Sequence, residues 1–250
     1  LVSDNKCKRV LILDPYQAEA MRIFQGQEAK TRRMFSTLCG FMSFMSPYEK
    51  LLTDIGLSIS TDIERFIKDP KSIDLIQYTG GEDVSPHMYG DISPNELCGY
   101  NTSRDLLEKE IFEIALYYDI PMVGICRGVQ FLNVMCGGKL VHHLNNHGGK
   151  EHIVTIVNRS TDTKFVVNSY HHQMCIPGAD CEIIAEAENI GGCYIGNYDK
   201  EIEWENKDIE GVHYHKQRTI GVQWHPEMMD KNSQGRLFYK DIVKHILLQE

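Results

Sequence analysis

The chain has no C-x-x-C pair and no excess of basic residues. It also has no apolar run approaching the ~18 residues that a membrane helix requires. Each absence excludes something. The eight cysteines, at positions 7, 39, 98, 126, 136, 175, 181 and 193, are scattered, which fits a reduced, intracellular chain better than a disulfide framework. A formal charge of -9 offers no basic face to nucleic acid or to an anionic membrane, so neither is expected as a partner. The opening residues carry no charged-then-apolar leader, and a cytoplasmic location is expected. With 250 residues of ordinary globular composition, the chain is expected to form a single domain over 1–250 with a substantial core.

What is present is an alternation of strands and helices, the pattern of an open, mostly parallel α/β sheet covered on both faces. Strands are predicted over 10–13, 57–60, 72–78 and 121–125, then over 153–157, 164–168 and 181–185. A hairpin is predicted from 209–214 and 219–224 around Lys216 and Gln217. Helices are predicted over 62–68, 103–118, 129–136 and 234–248, with one or two more between 16 and 52. For 103–118, Ser103 is the expected N-cap, and Leu106, Leu107, Ile111, Ile114 and Ala115 form the expected buried stripe.

The stretch 121–130 organises the rest. A buried strand runs into Gly124, Cys126 and Gly128 and then into an apolar helix. Glycines on either side of a nucleophile suit a sharp strand-to-helix elbow, here with sulfur in the place of a serine oxygen. The helix start brings unpaired N–H groups and partial positive charge to the sulfur, which suits an anion. A plain buried cysteine is the alternative for such a short motif.

Gly80 and Gly81 follow the 72–78 strand directly, and so fall, like Cys126, at the carboxyl end of a strand, where open α/β sheets gather ligands. Far downstream, His225-Pro-Glu227 offers an imidazole with a carboxylate two residues on. In extended backbone such residues point the same way, so Glu227 can hold one ring nitrogen and leave the other free for proton exchange. Cys126, His225 and Glu227 together supply the nucleophile, base and orienting group of acyl transfer. Four further histidines, His142, His143, His147 and His152, crowd the segment 140–152. Zinc needs three or four converging ligands with support behind them, so these are read as site-lining or exposed side chains, with no metal and no cofactor expected.

The motifs Thr79-Gly-Gly-Glu-Asp-Val-Ser-Pro-His-Met-Tyr-Gly90, Arg104-Asp105, Gly124-Ile-Cys-Arg-Gly-Val-Gln-Phe-Leu-Asn133, Gly137-Gly138, Val167-Asn-Ser-Tyr-His-His-Gln173 and Gly221-Val-Gln-Trp-His-Pro-Glu227 occur in this order. Together they resemble the class I glutamine amidotransferase superfamily, and within it the gamma-glutamyl hydrolases of the gamma-glutamyl-gamma-aminobutyrate hydrolase type. The resemblance implies a three-layer, flavodoxin-like sheet. It implies hydrolysis of a small gamma-glutamyl amide through a thioester on Cys126, with His225 and Glu227 completing the triad. The backbone N–H of Arg127 and one from Gly80 or Gly81 would form the oxyanion hole. Gln130, Tyr170, His171 and His172 would bind substrate. Thr79 stands where proline is common in the family. A glutaminase subunit feeding a separate synthetase, and a non-catalytic binding protein on the same fold, are the alternatives; a homodimer is open in each case.

Overall fold

A computed structural model describes residues 7–14, 45–157, 163–188 and 190–248. Most of the helical segment expected between 16 and 52 lies outside these residues. Within them, helix α1 covers Ser46–Thr53. The main sheet has nine strands: β1 (Arg9–Ile12), β2 (Ser58–Ser60), β3 (Leu75–Tyr78), β4 (Met122–Ile125), β5 (Gly148–Ile156), β6 (Thr163–Tyr170), β7 (Glu182–Ala187), β8 (Asp208–Tyr214) and β9 (Thr219–Val222). Their spatial order is β2-β1-β3-β4-β9-β8-β7-β5-β6. The first five in that order run parallel. The β8–β9 hairpin then turns the sheet antiparallel for the remaining four.

Alternation along the parallel strands fills two separate cores. Leu11, Ile76, Tyr78 and Met122 face one side, where they meet α2 (Ile63–Lys68), α3 (Thr102–Tyr117) and α4 (Arg127–Met135). Val10, Ile12, Leu75, Val123 and Ile125 face the other, with α1 and α5 (Gln234–Leu248). Successive strand residues point to opposite faces, so a continuous apolar run is what a strand buried on both sides needs. This is the three-layer α/β arrangement expected.

Several boundaries differ from the sequence reading. Helix α3 starts one residue earlier, because the Asn101 side chain, not Ser103, caps it by accepting the Arg104 N–H at 3.2 Å. The expected stripe holds in part: Ile111 and Ala115 are buried and Leu107 and Ile114 pack on the core, whereas Leu106 is 58% exposed and Arg104, Asp105 and Glu108 are buried beside Phe112. Arg104 pairs with Glu108, and Arg127 with Asp105 and Glu108, which lets these charges lie inside. Helix α4 begins at Arg127, two residues before the expected start, with Cys126 itself at the N-cap position. Strand β5 begins at Gly148, five residues early, and so draws His152 into the sheet.

The strands that matter for function are neighbours. In β3, β4 and β9, Tyr78 pairs with Gly124, and Gly124 and Ile125 pair with Gly221 and Val222. The chain therefore leaves all three strands at one edge, delivering Gly80, Cys126 and His225 side by side.

Candidate active site

Cys126 sits at φ 51°, ψ -114°, a backbone state that a non-glycine residue rarely adopts and that is held here from both sides. Its N–H donates to the Val222 carbonyl at 2.9 Å, and its own carbonyl accepts from Val129 and Gln130 at the head of α4. The turn is tight enough that α4 lies directly on the sheet. A Cβ at Gly128 would overlap the Tyr78 carbonyl, and one at Gly124 would come within 2.5 Å of the Val129 nitrogen. The glycines of the elbow are thus required by close approach rather than by turn conformation.

His225 lies beside the sulfur. Its Nδ1 is 2.6 Å from Glu227 Oε1, which leaves Nε2 as the nitrogen that can exchange a proton. A Cβ built on Gly80 would be 3.1 Å from His225 Cε1 and 3.7 Å from Cys126 Cβ, so loop, thiol and imidazole are in mutual contact. Burial works against charge on His225, but the hydrogen-bonded Cys126 sulfur and the Glu227 carboxylate outweigh it and raise the ring to about 10. The surroundings therefore favour a proton on the ring beside the sulfur.

The route from His225 to Glu227 is not extended, as predicted, but a 3₁₀ turn over Pro226–Met228. Proline's fixed φ starts that turn, and Arg236 of α5 secures it by donating to the carbonyls of Pro226, Glu227 and Met229 at 3.2–3.3 Å. Asn168 clamps the His225 backbone in both directions, donating to its carbonyl (3.0 Å) and accepting its N–H (2.9 Å).

Below the loop and elbow lies a buried charge cluster that sequence reasoning did not assign. Arg104 donates to the carbonyls of Thr79 (3.0 Å) and Gly80 (3.1 Å) and to the carboxylates of Glu82 and Glu108 (2.8 Å each). Arg127 pairs with Asp105 at 2.6 Å and with Glu108. Burial opposes the Glu108 charge, yet the two guanidinium groups hold its carboxyl below the usual range. The glycine loop is thereby bolted to the elbow helix through α3. Gly81, at φ +138°, lies against the Arg104 guanidinium and has no room for a side chain.

Tyr48, from α1, is the other residue the sequence did not single out. Its hydroxyl accepts the Gly80 N–H at 3.1 Å, occupying one of the expected oxyanion donors. Burial first, then the charges of Glu227 and Cys126, push its phenol well up, so it stays a neutral hydroxyl. The Arg127 N–H stands at the first helical position, which has no acceptor within the helix.

The expected substrate residues are divided. Tyr170 is half exposed and lies edge-on to His225, with ring centroids 5.8 Å apart. Gln130 is buried and donates to the Gln173 carbonyl at 3.0 Å. His172 is partly exposed and pairs with Asp83 at 3.0 Å. His171 does not line an open pocket: it is buried, with contacts to Gln173, Gln223 and Glu210. Of the four histidines in 140–152, His142 and His147 are fully buried rather than exposed or site-lining, because each finds carboxylates inside: Asp91 and Asp199 for His142, Asp208 and Glu210 for His147.

Comparison with known proteins identifies the family and supports the fold. The Peptidase C26 family matches residues 50–227, and the chain belongs to that family of glutamine amidotransferase-like hydrolases. It is 30% identical over 172 residues to the glutamine amidotransferase-like protein YvdE of Lactococcus lactis, a match covering 62% of this chain and 66% of that protein, so the chain spans just under two thirds of that relative. It is 33% identical over 130 residues to the gamma-glutamyl-CDP-amidate hydrolase of Campylobacter jejuni, covering 49% of this chain and 53% of that one. In structure it is similar to a glutamine amidotransferase from Thermotoga maritima, at a TM-score of 0.53 and 17% identity over 97% of this chain and 86% of the other, which supports the fold. Among the described residues no helix is long and apolar enough to cross a membrane.

Proposed function

We propose that the chain is a cysteine hydrolase that cleaves the gamma-glutamyl amide bond of a small molecule. The observation that carries this reading is the position of His225, bonded to Glu227 and set beside Cys126 and Gly80 at the ends of adjacent parallel strands. Cys126 attacks the amide carbonyl, and the oxyanion forms beside the Arg127 N–H. His225 gives its proton to the departing amine as the C–N bond breaks. The resulting gamma-glutamyl thioester is attacked by water, whose proton returns to His225, and glutamate leaves as the C–S bond breaks. Glu227 fixes the imidazole throughout. One oxyanion donor is worth roughly 3 kcal/mol of transition-state stabilisation. Membership of Peptidase C26 supports C–N hydrolysis, and the similarity to a gamma-glutamyl-CDP-amidate hydrolase supports the glutamyl side.

A mass-spectrometric screen of glutamine and gamma-glutamyl amines tests the proposal. Free glutamate should appear from at least one compound with wild-type protein and from none with Cys126→Ser. If glutamate release persists in Cys126→Ser, the nucleophile is wrong. If glutamine alone is hydrolysed, and only when a synthetase is added, the chain is a partnered glutaminase instead.

A further inference from the structure

The antiparallel half of the sheet buries a histidine–carboxylate cluster that the hydrolytic chemistry does not use. Strand β8 contributes Asp208 and Glu210, the segment entering β5 contributes His147, β5 itself His152, and the turn after β6 His171. Glu210 Oε1 lies 3.4 Å from His147 Nδ1, 3.0 Å from His152 Nε2 and 3.6 Å from His171 Nε2. One ligand atom each from His147, His171 and Glu210 falls within 4.8 Å of the others. These three side chains are 0–1% exposed. Yet both Glu210 oxygens, His171 Nε2 and both His152 nitrogens lack an aligned hydrogen bond among the described residues.

The outer partners set the tautomers. His147 Nε2 lies 3.0 Å from Asp208 Oδ2, a carboxylate that can only accept, so Nε2 carries the proton and the Nδ1 lone pair faces Glu210. His171 Nδ1 lies 2.9 Å from the Gln173 carbonyl, again an acceptor, so its Nε2 lone pair also faces Glu210. Gln223 Nε2, 3.1 Å from the same Nδ1, donates to the Gln173 carbonyl instead, at 2.9 Å. Two lone pairs therefore face a buried carboxylate whose nearest donor, His152 Nε2, is 3.0 Å from Oε1 but not aligned with it. Such a group is costly to bury unless a positive charge sits at its centre.

We infer that His147 Nδ1, His171 Nε2 and Glu210 Oε1 form a three-ligand site for a divalent transition metal, zinc first. Tetrahedral zinc with nitrogen and oxygen ligands keeps those ligands about 3.4 Å apart, and the separations of 3.4 and 3.6 Å from Glu210 Oε1 to the two imidazole nitrogens lie close to that value. Imidazoles with one carboxylate suit zinc better than magnesium or calcium. The Asp208–His147 contact supplies the carboxylate behind a ligating histidine that such sites use to orient the ring. Asp208 is itself held by the Tyr194 hydroxyl at 2.6 Å and the Ile190 N–H at 3.0 Å. All three ligands are 0–1% exposed, so the metal holds structure rather than meeting a substrate. What it holds is the 171–173 turn, whose Gln173 carbonyl also receives Gln130 from the elbow helix.

The test is metal content of the full chain, purified without chelator and desalted, by plasma mass spectrometry, with X-ray absorption on the bound ion. The expected result is close to one zinc per chain with nitrogen and oxygen neighbours only. Cobalt, loaded after chelation, should give the intense visible absorption of a tetrahedral site. Asp208→Asn should weaken affinity roughly 10–100-fold, and His147→Ala should abolish it. His215→Ala, in the partly exposed Glu182–His213–His215 group, should leave the stoichiometry unchanged. The proposal is overturned if the wild-type chain folds with well under one equivalent of metal and its melting temperature ignores added zinc and cobalt. Sulfur in the first shell, or loss of the metal in His215→Ala, overturns it equally. The wild-type measurements decide stoichiometry and ligand type on their own, and the His215→Ala result counts for protein whose circular dichroism matches wild type.

Discussion

Glu227 and Glu210 are both buried carboxylates beside imidazoles, but Glu227 faces one ring and Glu210 faces three. At Glu227 the histidine has a thiol on its other side, and the balance of charge favours a proton on the ring, raised to about 10. At Glu210 the outer nitrogens of His147 and His171 are committed to Asp208 and to the Gln173 carbonyl, which leaves their inner lone pairs available. The same pair of residue types is arranged for proton transfer in one half of the sheet and for ligation in the other. The difference lies in what stands opposite: a single thiol on one side, and on the other two rings whose outer nitrogens are already committed and which call for a cation between them.

Removing the sulfur breaks the first half of this comparison most severely. Cys126→Ala should lower kcat by roughly 10⁶-fold, as loss of a nucleophile does elsewhere, with the melting temperature barely changed. Glu227→Gln sharpens it. The ring should lose its orientation and kcat should fall roughly 10⁴-fold. The pH–rate profile carries the sign of the coupling. His225 must be protonated to release the amine, so wild-type activity should persist into alkaline solution and fall as pH rises through about 10. In Glu227→Gln one of the groups holding that proton is gone, and the fall should move down toward the ordinary value of 6.5.

Arg104→Ala probes the ground on which the catalytic half stands. It leaves Glu108 with Arg127 as its one cation and strips Glu82 and the Thr79 and Gly80 carbonyls of their donor, and should cost about 3 kcal/mol in a denaturant titration, with activity lost through the loosened Gly80 loop. Tyr48→Phe should have the smallest effect. It removes the hydroxyl that occupies the Gly80 N–H and should raise kcat/KM up to roughly fivefold, the net worth of one hydrogen bond. A fall of roughly 100-fold would instead make that hydroxyl an oxyanion donor in its own right.

Legibility from sequence followed locality. The five parallel strands, the β8–β9 hairpin and helix α5 could be read because short apolar runs and turn residues mark buried strands and their ends. The elbow and the His225–Glu227 contact were visible because they are encoded within a few residues, although the backbone between the two is a 3₁₀ turn and not the extended stretch expected. Helix α3 was read in part: Leu107, Ile111, Ile114 and Ala115 face the core as expected, but Arg104 and Glu108 are inside because they pair with each other and Glu108 also meets Arg127 on another element. Tyr48 was missed because nothing near position 48 signals that its hydroxyl ends 32 residues away in sequence, at the glycine loop. The histidines of 140–152 were grouped by proximity in the chain, whereas the fold sorts them by partner. His142 goes to Asp91 and Asp199, His143 lies against His172, and His147 and His152 join Glu210. The signal that could have separated them was the strand pattern of β5 and β8, which brings position 152 and position 210 into one sheet.

The most direct test of the central claim is covalent trapping with a glutamine-mimicking electrophile, read by intact-protein and peptide mass spectrometry. The account predicts one adduct per chain, on Cys126, formed slowly in His225→Ala and protected by the true substrate. Modification spread over the other cysteines, or labelling of Cys126 at the same rate with and without His225, would contradict it.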